Sequence, residues 1–335
     1  MRQLRSSLRQ RARMTACALI ALAAGFAVPH LAAAQGNLSK EGALFLIFPI
    51  GARAVGMGQS VGASQIGSEG LWWNPASLAR MEKSELSLSH SSTISATGDA
   101  LTFVRPSGRI GVISLGGYLL DYGKQDAGVD ANGITGTFYP RSVVAAVSYA
   151  AAFGSRVSAG VTYKFVQDRV DCSGSCGNVT TFNSSTSGLD LGLQAVVDPA
   201  RRITIGIALR NAGLKLQIND NPQADPLPTR IDAGVQVQVP RIDSLVPGGE
   251  LLVTADIVGN LSLSGPSFRS GAEFVYQKQF FLRAGFSTGS FDGAGAAIGL
   301  GLKRGGIAID FARAFGGLSA DAGKPPTFIT LRFQF

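Results

Sequence analysis

The sequence predicts an all-β protein, a transmembrane antiparallel up-and-down β-barrel of about fourteen strands. Three observations predict this fold: apolar residues alternate with small or polar ones, the connections are alternately short and long, and the last segment ends in an aromatic residue. The composition agrees, because 45% of the 335 residues are hydrophobic and only 16% are charged. That balance is too apolar for a disordered chain and low in charge for a soluble protein.

Residues 1–34 have the pattern of a cleaved secretory signal peptide. Five arginines precede an apolar run over 14–28, and Ala32, Ala33 and Ala34 supply the small residues of a cleavage site. The apolar run is about 15 residues long, shorter than the roughly 20 that a spanning helix needs. The segment carries five of the 30 basic residues and none of the 22 acidic ones, so the net charge falls from +8 to +3. We therefore expect export, and no nucleic-acid partner.

Two cysteines remain after the signal peptide, which contains Cys17, is removed. Cys172 and Cys176 lie in a short Gly/Ser-rich stretch. A thiol pair in an exported chain predicts a disulfide. A metal site would need more ligands than this loop offers, so we expect no metal and no cofactor.

Residues 85–335 are expected to form the barrel, because they consist of short segments with a two-residue period. Side chains on a strand point alternately to the two faces of a sheet, so each such segment has one apolar and one polar or small face. A soluble sandwich shows the same alternation, and the period alone does not decide between them. The clearest segments are 189–197, 203–210, 231–239, 298–302 and 307–312.

The connections between these segments alternate in length, which is typical of outer-membrane barrels. Tight turns are predicted near 107–108, 154–155, 198–199, 277–279 and 304–305. Longer loops are predicted near 120–139, 169–186, 212–228, 258–266, 287–293 and 314–326, and the connection over 240–249 is longer than the rule would give.

The C-terminal segment places Ile329, Leu331, Phe333 and Phe335 on one face and ends in Phe335. Such an end resembles the terminal strand by which the barrel-assembly machinery recognises outer-membrane proteins for insertion. Aromatic residues at other strand ends would form an interfacial girdle, or would be ordinary core aromatics.

Residues 35–84 do not fit the strand pattern, and we expect them to fold into the lumen as a hatch or plug. Glycines here permit tight bends, and Asn-Pro starts a turn. A phosphate-binding loop is not favoured, because no Lys-Ser or Lys-Thr follows the glycines. The hatch candidates are Gly51, Arg53, Gly56, Met57, Gly58, Trp73, Asn74 and Pro75.

Two charge pairs are predicted inside the lumen. Glu273 and Arg283 lie five residues on either side of Lys278, so a regular hairpin places them opposite each other. Asp310 and Arg332 form a second candidate pair. Buried charges need partners, so these pairs would fix the hatch or the strand register, or would contact a substrate or a partner.

The sequence resembles the PorV/PorQ outer-membrane proteins, relatives of the FadL-like transporters. The resemblance rests on 48–58 and 73–79, with further matches at 210–213, 226–230, 271–274, 282–286 and 306–310. It implies a FadL-like barrel with an N-terminal hatch in the cell outer membrane, in contact with its lipid. Glu69-Gly70 departs from the paired acidic residues that the family usually carries, so no role is transferred to those acids.

Two functions remain open at this stage. The resemblance implies a secretion-associated component that docks or hands over exported surface proteins, with a type IX secretion translocon as partner. The alternative is a FadL-like passive transporter of hydrophobic small molecules. A bulged strand near the hatch would favour the transporter, and a closed wall with an apolar loop platform would favour docking. Enzyme activity is not expected, because His90 is the only histidine after the signal peptide and no nucleophile elbow is present.

Overall fold

A computed structural model describes residues 41–130, 133–177, 181–200, 202–217, 224–260, 266–288 and 294–335. The predicted signal peptide and residues 35–40 lie outside the described residues. No helix in the described ranges is long and apolar enough to cross a membrane.

The chain from Glu85 onward is a succession of strands. Their bounds are β1 Glu85–Ser92, β2 Thr97–Pro106, β3 Val112–Asp121, β4 Gln125–Asp130, β5 Gly133–Phe153, β6 Val157–Gly174, β7 Phe182–Val196, β8 Ile203–Gly213, β9 Leu216–Gln217, β10 Ala224–Asp225, β11 Arg230–Gln238, β12 Gly249–Asn260, β13 Ser267–Tyr276, β14 Phe280–Ser287, β15 Gly295–Arg304, β16 Ile307–Ala314 and β17 Thr327–Gln334.

These strands close on themselves. Strand β1 pairs antiparallel with both β2 and β17, and β3 pairs with β5, so the sheet returns to its start. The predicted fourteen-stranded antiparallel barrel is confirmed. Strand β4 extends the sheet along β5, and β9 and β10 form a separate two-stranded pair. Closure leaves no barrel strand with an unpaired edge, which a surrounding hydrocarbon phase requires.

The alternation along each strand separates an apolar outer face from a polar inner face. In β7, Leu189, Leu191 and Leu193 are 46%, 50% and 52% exposed, while Asp190 between the first two and Gln194 after the third are buried. Strands β8, β14, β15 and β16 show the same pattern. The outward face is therefore suited to hydrocarbon, and the inward face carries the charged and small residues.

The two ends of the barrel differ in their connections. One end, here called the turn end, carries the tight turns at 107–111, 154–156, 277–279 and 305–306, together with the C-terminus. The other, the loop end, carries the long connections. At that end the link 93–96 between β1 and β2 is an exception, because it has only four residues. Strands β5 and β6, in contrast, are the longest strands, with 21 and 18 residues. The rim at the loop end is consequently low at β1–β2 and tall at β5–β6.

Short helices lie outside the strands. The N-terminal segment, residues 41–84, contains the 3-10 helices Leu44–Ile47, Gly67–Glu69 and Pro75–Arg80 and the α-helices α1 Ala52–Gly56 and α2 Gly70–Trp73; the later helices are the 3-10 helix Gly108–Ile110 and the α-helices α3 Ile242–Leu245 and α4 Leu318–Asp321. The segment begins at the loop end, where the Gly42 N–H donates to the Pro226 carbonyl. It ends at the turn end, where the Ser84 N–H donates to the Phe335 carbonyl.

Candidate functional site

The N-terminal segment lies against the inner face of the barrel wall, and glycines of the wall make the approach possible. A Cβ atom on Gly285 of β14 would lie 2.0 Å from the Gly58 nitrogen. A Cβ atom on Gly192 of β7 would lie 2.1 Å from Asn74 Oδ1. Real atoms cannot come this close, so these two wall positions must be glycine for the segment to pack as it does.

A chain of five charges, four of them buried and Arg53 partly exposed, ties helix α1 to the wall. Arg53 donates from NH2 and Nε to the two carboxylate oxygens of Glu273, at 2.7 and 3.0 Å. Arg283 donates to Glu273 at 2.5 Å and to Asp310 at 2.6 Å. Arg332 also contacts Asp310. The signs alternate along this chain, so each charge lies beside at least one of opposite sign, as buried ions require.

The strand register explains most of this chain. Glu273 of β13 lies directly opposite Arg283 of β14, whereas Arg332 of β17 lies opposite Ala308, diagonal to Asp310. The structure thus brings both predicted pairs together in one network and adds Arg53, a hatch candidate 220 residues away along the chain.

Glu69 holds the beginning of α1. The Ala54 N–H donates to Glu69 Oε2 at 3.0 Å, and the Arg53 N–H donates to Oε1 at 3.4 Å. Burial raises the pKa of Glu69 to about 7, against the opposing effect of the nearby Arg332. The carboxyl group therefore titrates close to neutral pH.

The second half of the segment packs through apolar side chains. Leu71, Trp72 and Leu78 are buried in a cluster with residues of β2, β3, β5 and β6. The Trp72 indole N–H donates to Thr102 Oγ1 at 2.9 Å, and its ring meets Tyr118 edge-on with centroids 6.2 Å apart. This part of the segment is held by packing rather than by ion pairs.

Trp73 and Asn74 connect the segment to the polar part of the lumen. Two guanidinium groups lie over the Trp73 ring, with Arg210 at 5.0 Å and Arg269 at 5.8 Å from its centroid. Arg210 is itself paired with Asp232 at 2.8 Å. Asn74 Oδ1 accepts from the Ala76 N–H at 3.0 Å, and its Nδ2 donates to the Gly62 carbonyl at 2.6 Å. The side-chain amide of Asn74 thus holds the Asn-Pro turn through both its oxygen and its nitrogen.

A β-bulge interrupts the wall beside the segment. The pairing of β7 with β8 passes from Leu189 opposite Ala212 to Leu191 opposite Leu209, which sets Asp190 against two residues of β8. One of them, Asn211, has φ +57°, a conformation that asparagine tolerates. Its N–H donates to Asp190 at 2.7 Å, and Lys164 is 2.6 Å from the same carboxylate.

A small pocket lies next to this bulge, between the segment and the wall. Its volume is about 20 Å³, enough for one water-sized occupant. Seven apolar residues and two cations line it: Phe45, Leu46, Phe48, Ile50, Trp72, Trp73, Val144, Lys164 and Arg210. In this conformation the lumen is closed at the pocket.

The remaining candidates lie away from the lumen centre. Cys172 and Cys176 form a disulfide at the tip of β6. Phe333 faces outward, and Phe335 is 70% exposed and stacks on Phe103 with centroids 6.5 Å apart. His90 is on the outer face, with Nδ1 2.7 Å from Asp99. The described ranges contain no group of three or more acidic, histidine or cysteine side chains placed to hold a metal ion.

Sequence reasoning placed the hatch candidates Gly56, Met57, Gly58 and Pro75 in the segment that the structure sets against the wall, with Gly51 preceding α1. It missed the bulge at Asn211 and the lining from Phe45 to Ile50. Asn-Ala-Gly over 211–213 was a signal for an irregular strand, because asparagine and glycine adopt left-handed backbone conformations. It also missed five further buried charges of the wall, which no local pattern predicts: Arg210, Arg230, Asp232, Asp256 and Arg269.

The fold has solved counterparts. The toluene transporter TbuX from Ralstonia pickettii superposes with a TM-score of 0.56 at 17% identity, over 85% of this chain and 98% of its own. The CymD monoaromatic hydrocarbon channel gives 0.56 at 16% identity, over 85% and 97%. The Pseudomonas putida toluene transporter TodX gives 0.56 at 10% identity, over 85% and 98%. At these identities the likeness shows the fold, which is the FadL-like barrel.

No protein-family model matches the chain, and no curated protein matches it in sequence. Membership of the PorV/PorQ family therefore stays a prediction, while the broader FadL-like architecture stands on the structural likeness.

Proposed function

We propose that this protein is an outer-membrane conduit for hydrophobic small molecules and that its N-terminal segment is the plug. The observation that carries the proposal is a pocket inside the barrel, beside the bulge at Asn211, that has an apolar side formed by Phe48, Ile50 and Trp72. An apolar solute needs an apolar surface within the wall, and a bulge is where a β-wall deforms most readily.

The outer face supports a membrane location. A continuous apolar surface of half-exposed Leu, Ile, Val and Phe side chains surrounds a closed barrel, and such a surface is stable only against hydrocarbon. The expected signal peptide and the aromatic C-terminus fit delivery to the outer membrane. The named structural counterparts transport toluene or conduct monoaromatic hydrocarbons, which supports the same class of solute for this chain.

The plug accounts for how such a barrel stays sealed. Residues 41–84 occupy the lumen from the loop end to the turn end, and the pocket beside them is about 20 Å³. A monoaromatic solute is several times larger than that volume, so passage requires part of the segment to shift.

Two measurements test the proposal. In planar bilayers, deletion of residues 36–84 should leave an inserted barrel with higher conductance than the full chain, because the lumen loses its filling. In proteoliposomes, the full chain should accelerate entry of toluene but not of a small sugar. Unchanged conductance after the deletion would argue against the plug, and equal effects on toluene and sugar would argue against an apolar route.

A matched pair of substitutions links transport to the pocket. Phe48→Lys places a charge in the pocket and should reduce toluene entry severalfold. Leu245→Lys places the same charge on a residue that is 78% exposed at the turn end and should leave toluene entry unchanged. Equal behaviour of the two variants would remove the pocket from the route.

The role as a type IX secretion component ranks below this proposal. It rests on the PorV/PorQ resemblance, whereas the bulge beside the plug is the feature that favours a conduit. Copurification of exported surface proteins with the detergent-extracted barrel would reverse the ranking.

A further inference from the structure

The turn end of the barrel carries a ring of exposed cations that the conduit does not use. Each of the six hairpins at that end carries an exposed arginine or lysine in its turn or within two residues of it, and the link into β1 contributes a seventh. The seven are Lys83, Arg105, Arg156, Arg202, Arg241, Lys278 and Arg304. Because one cation falls on every hairpin, the charge is spread around the whole circumference.

These cations have no salt bridge within the described part of the chain. Four acidic residues that are exposed or partly exposed lie in these turns or within two residues of them, and two of the four are engaged by the backbone. Asp198 accepts from the Arg202 and Ile203 N–H groups at 2.7 Å, and Asp243 accepts from the Gly248 N–H at 2.7 Å. Glu82 and Glu250 are the other two. The ring thus presents uncompensated positive charge to whatever surrounds the rim.

The loop end provides the contrast. Its exposed Arg141 and Arg169 both pair with Asp171, each at 2.7 Å, and Asp99 lies against His90. Asp126, Asp225 and Asp321 add negative charge there, which offsets the exposed Lys124, Lys215 and Lys324. The excess of positive charge is therefore a property of the turn end and not of the barrel as a whole.

Aromatic side chains fix the depth of the ring in a bilayer. Phe153 is 63% exposed immediately before the turn that contains Arg156, and Tyr276 and Phe280 flank Lys278 with ring centroids 6.5 Å apart. Aromatic residues settle at the boundary between hydrocarbon and headgroups. Long basic side chains just beyond them reach the headgroup layer, where lipid phosphates lie.

We propose that the turn-end ring binds the phosphate groups of anionic phospholipids in the leaflet that surrounds it. This inference rests on the membrane location proposed above. Guanidinium and ammonium groups at headgroup depth attract anionic lipid, each contributing up to about fivefold in preference. A ring of seven around the circumference would hold a shell of anionic lipid and fix the barrel's vertical position.

The test compares two triple variants of equal charge change in nanodiscs that contain phosphatidylglycerol in an excess of phosphatidylcholine. The turn-end variant carries Arg156→Gln, Lys278→Gln and Arg304→Gln. The loop-end control carries Lys124→Gln, Lys215→Gln and Lys324→Gln, at exposed lysines. Native mass spectrometry of the lipids retained by each protein gives the enrichment of phosphatidylglycerol over its bulk share.

We expect enrichment on the full chain, its loss by at least threefold in the turn-end variant, and its retention in the loop-end control. Added salt should weaken it, since charges at an exposed rim are screened. Equal enrichment in all three proteins would overturn the inference, as would displacement of the lipid by millimolar inorganic phosphate, which would assign the ring to free phosphate. Binding of soluble polyglutamate without any lipid preference would overturn it too, by assigning the rim to acidic protein.

Failure of this inference is distinguishable from failure of the conduit. Recovery of the processed chain as a monodisperse protein without detergent would remove the membrane location and both proposals. Normal insertion and toluene entry without lipid preference would remove only the lipid ring.

Discussion

The N-terminal segment meets the barrel wall through two contact zones of different chemistry. The ionic zone is helix α1 with Arg53 and Glu69, set on Glu273, Arg283 and the small residues of β13–β16. The apolar zone is the stretch around Leu71 and Trp72, set in the cluster formed with β2, β3, β5 and β6. Packing in the apolar zone responds little to pH, whereas the ionic zone contains a carboxyl group that titrates near neutrality. The difference indicates that the segment is held by packing around Trp72 and that its contact with the wall at α1 responds most to pH.

The largest loss of stability is expected from Glu273→Gln. The substitution leaves Arg53 and Arg283 buried beside each other without the shared carboxylate, and breaking a buried ion pair in this way costs about 3–5 kcal/mol. The loss is measured as the change in the free energy of unfolding by urea, with the protein in detergent micelles. Asp171→Asn is the control, because its partners Arg141 and Arg169 are exposed and such pairs contribute about 0–1 kcal/mol. Similar losses in the two variants would show that the ionic zone is not buried.

A double-mutant cycle measures the energetic coupling between Glu273 and Arg283. Glu273→Gln with Arg283→Gln should lose less stability than the sum of the two single variants, because the second substitution removes a guanidinium group that the first deprived of one of its two carboxylate partners. A charge swap at the two positions should restore part of the loss. Additive losses would argue against the pair.

The next effect tests the apolar zone. Leu71→Ala should reduce the free energy of unfolding by about 3 kcal/mol, because the fully buried side chain leaves a cavity in the cluster. The loss should be equal at pH 6 and pH 8, unlike changes in the ionic zone. Leu101→Ala on the outer face, where the side chain is 49% exposed, is the matched control and should cost much less. A strong pH dependence of the Leu71→Ala loss would remove the distinction between the zones.

A smaller effect is expected where the wall meets α1. Gly285→Ala would bring a methyl group against the Gly58 backbone, and overpacking of this kind costs about 1–3 kcal/mol. Gly117→Ala in β3 is the control, since a Cβ atom there meets no other atom within 4 Å. The conductance of the Gly285→Ala channel should also rise if α1 is displaced. Equal stability of the two variants would mean that α1 does not press on the wall.

The smallest effect is the pH dependence of Glu69. Its pKa is raised by burial to about 7 in the folded protein, so the folded state binds the proton more tightly than the unfolded chain. The contribution to stability is full below the unfolded pKa near 4.3 and is lost as the pH rises through 7. Stability should therefore fall by about 1 kcal/mol from pH 6 to pH 8. Glu69→Gln should flatten that slope, and an unchanged slope would assign it to another group.

Local sequence patterns predicted the barrel well, because strand alternation and turn positions depend on residues that are close together in the sequence. Alternation over 189–197 fixed which side chains of β7 face outward, and the turn at Lys278 predicted the Glu273–Arg283 register. The charge chain through Arg53 and the stacking of Arg210 and Arg269 on Trp73 were not predicted. These contacts join residues more than a hundred positions apart, and they depend on where the segment settles in the lumen. The bulge at Asn211 was also missed, because it lies near the end of β8, where only two residues follow to show that the period has changed phase.

The tall hairpin of β6 and β7 gives a practical means of determining orientation. Its tip carries Cys172 and Cys176, and Cys17, the third cysteine of the sequence, lies in the expected signal peptide. A membrane-impermeant maleimide, applied to intact cells after mild reduction, would tag this hairpin only if it projects into the medium. The disulfide is thus a built-in topology reporter that requires no engineered residue.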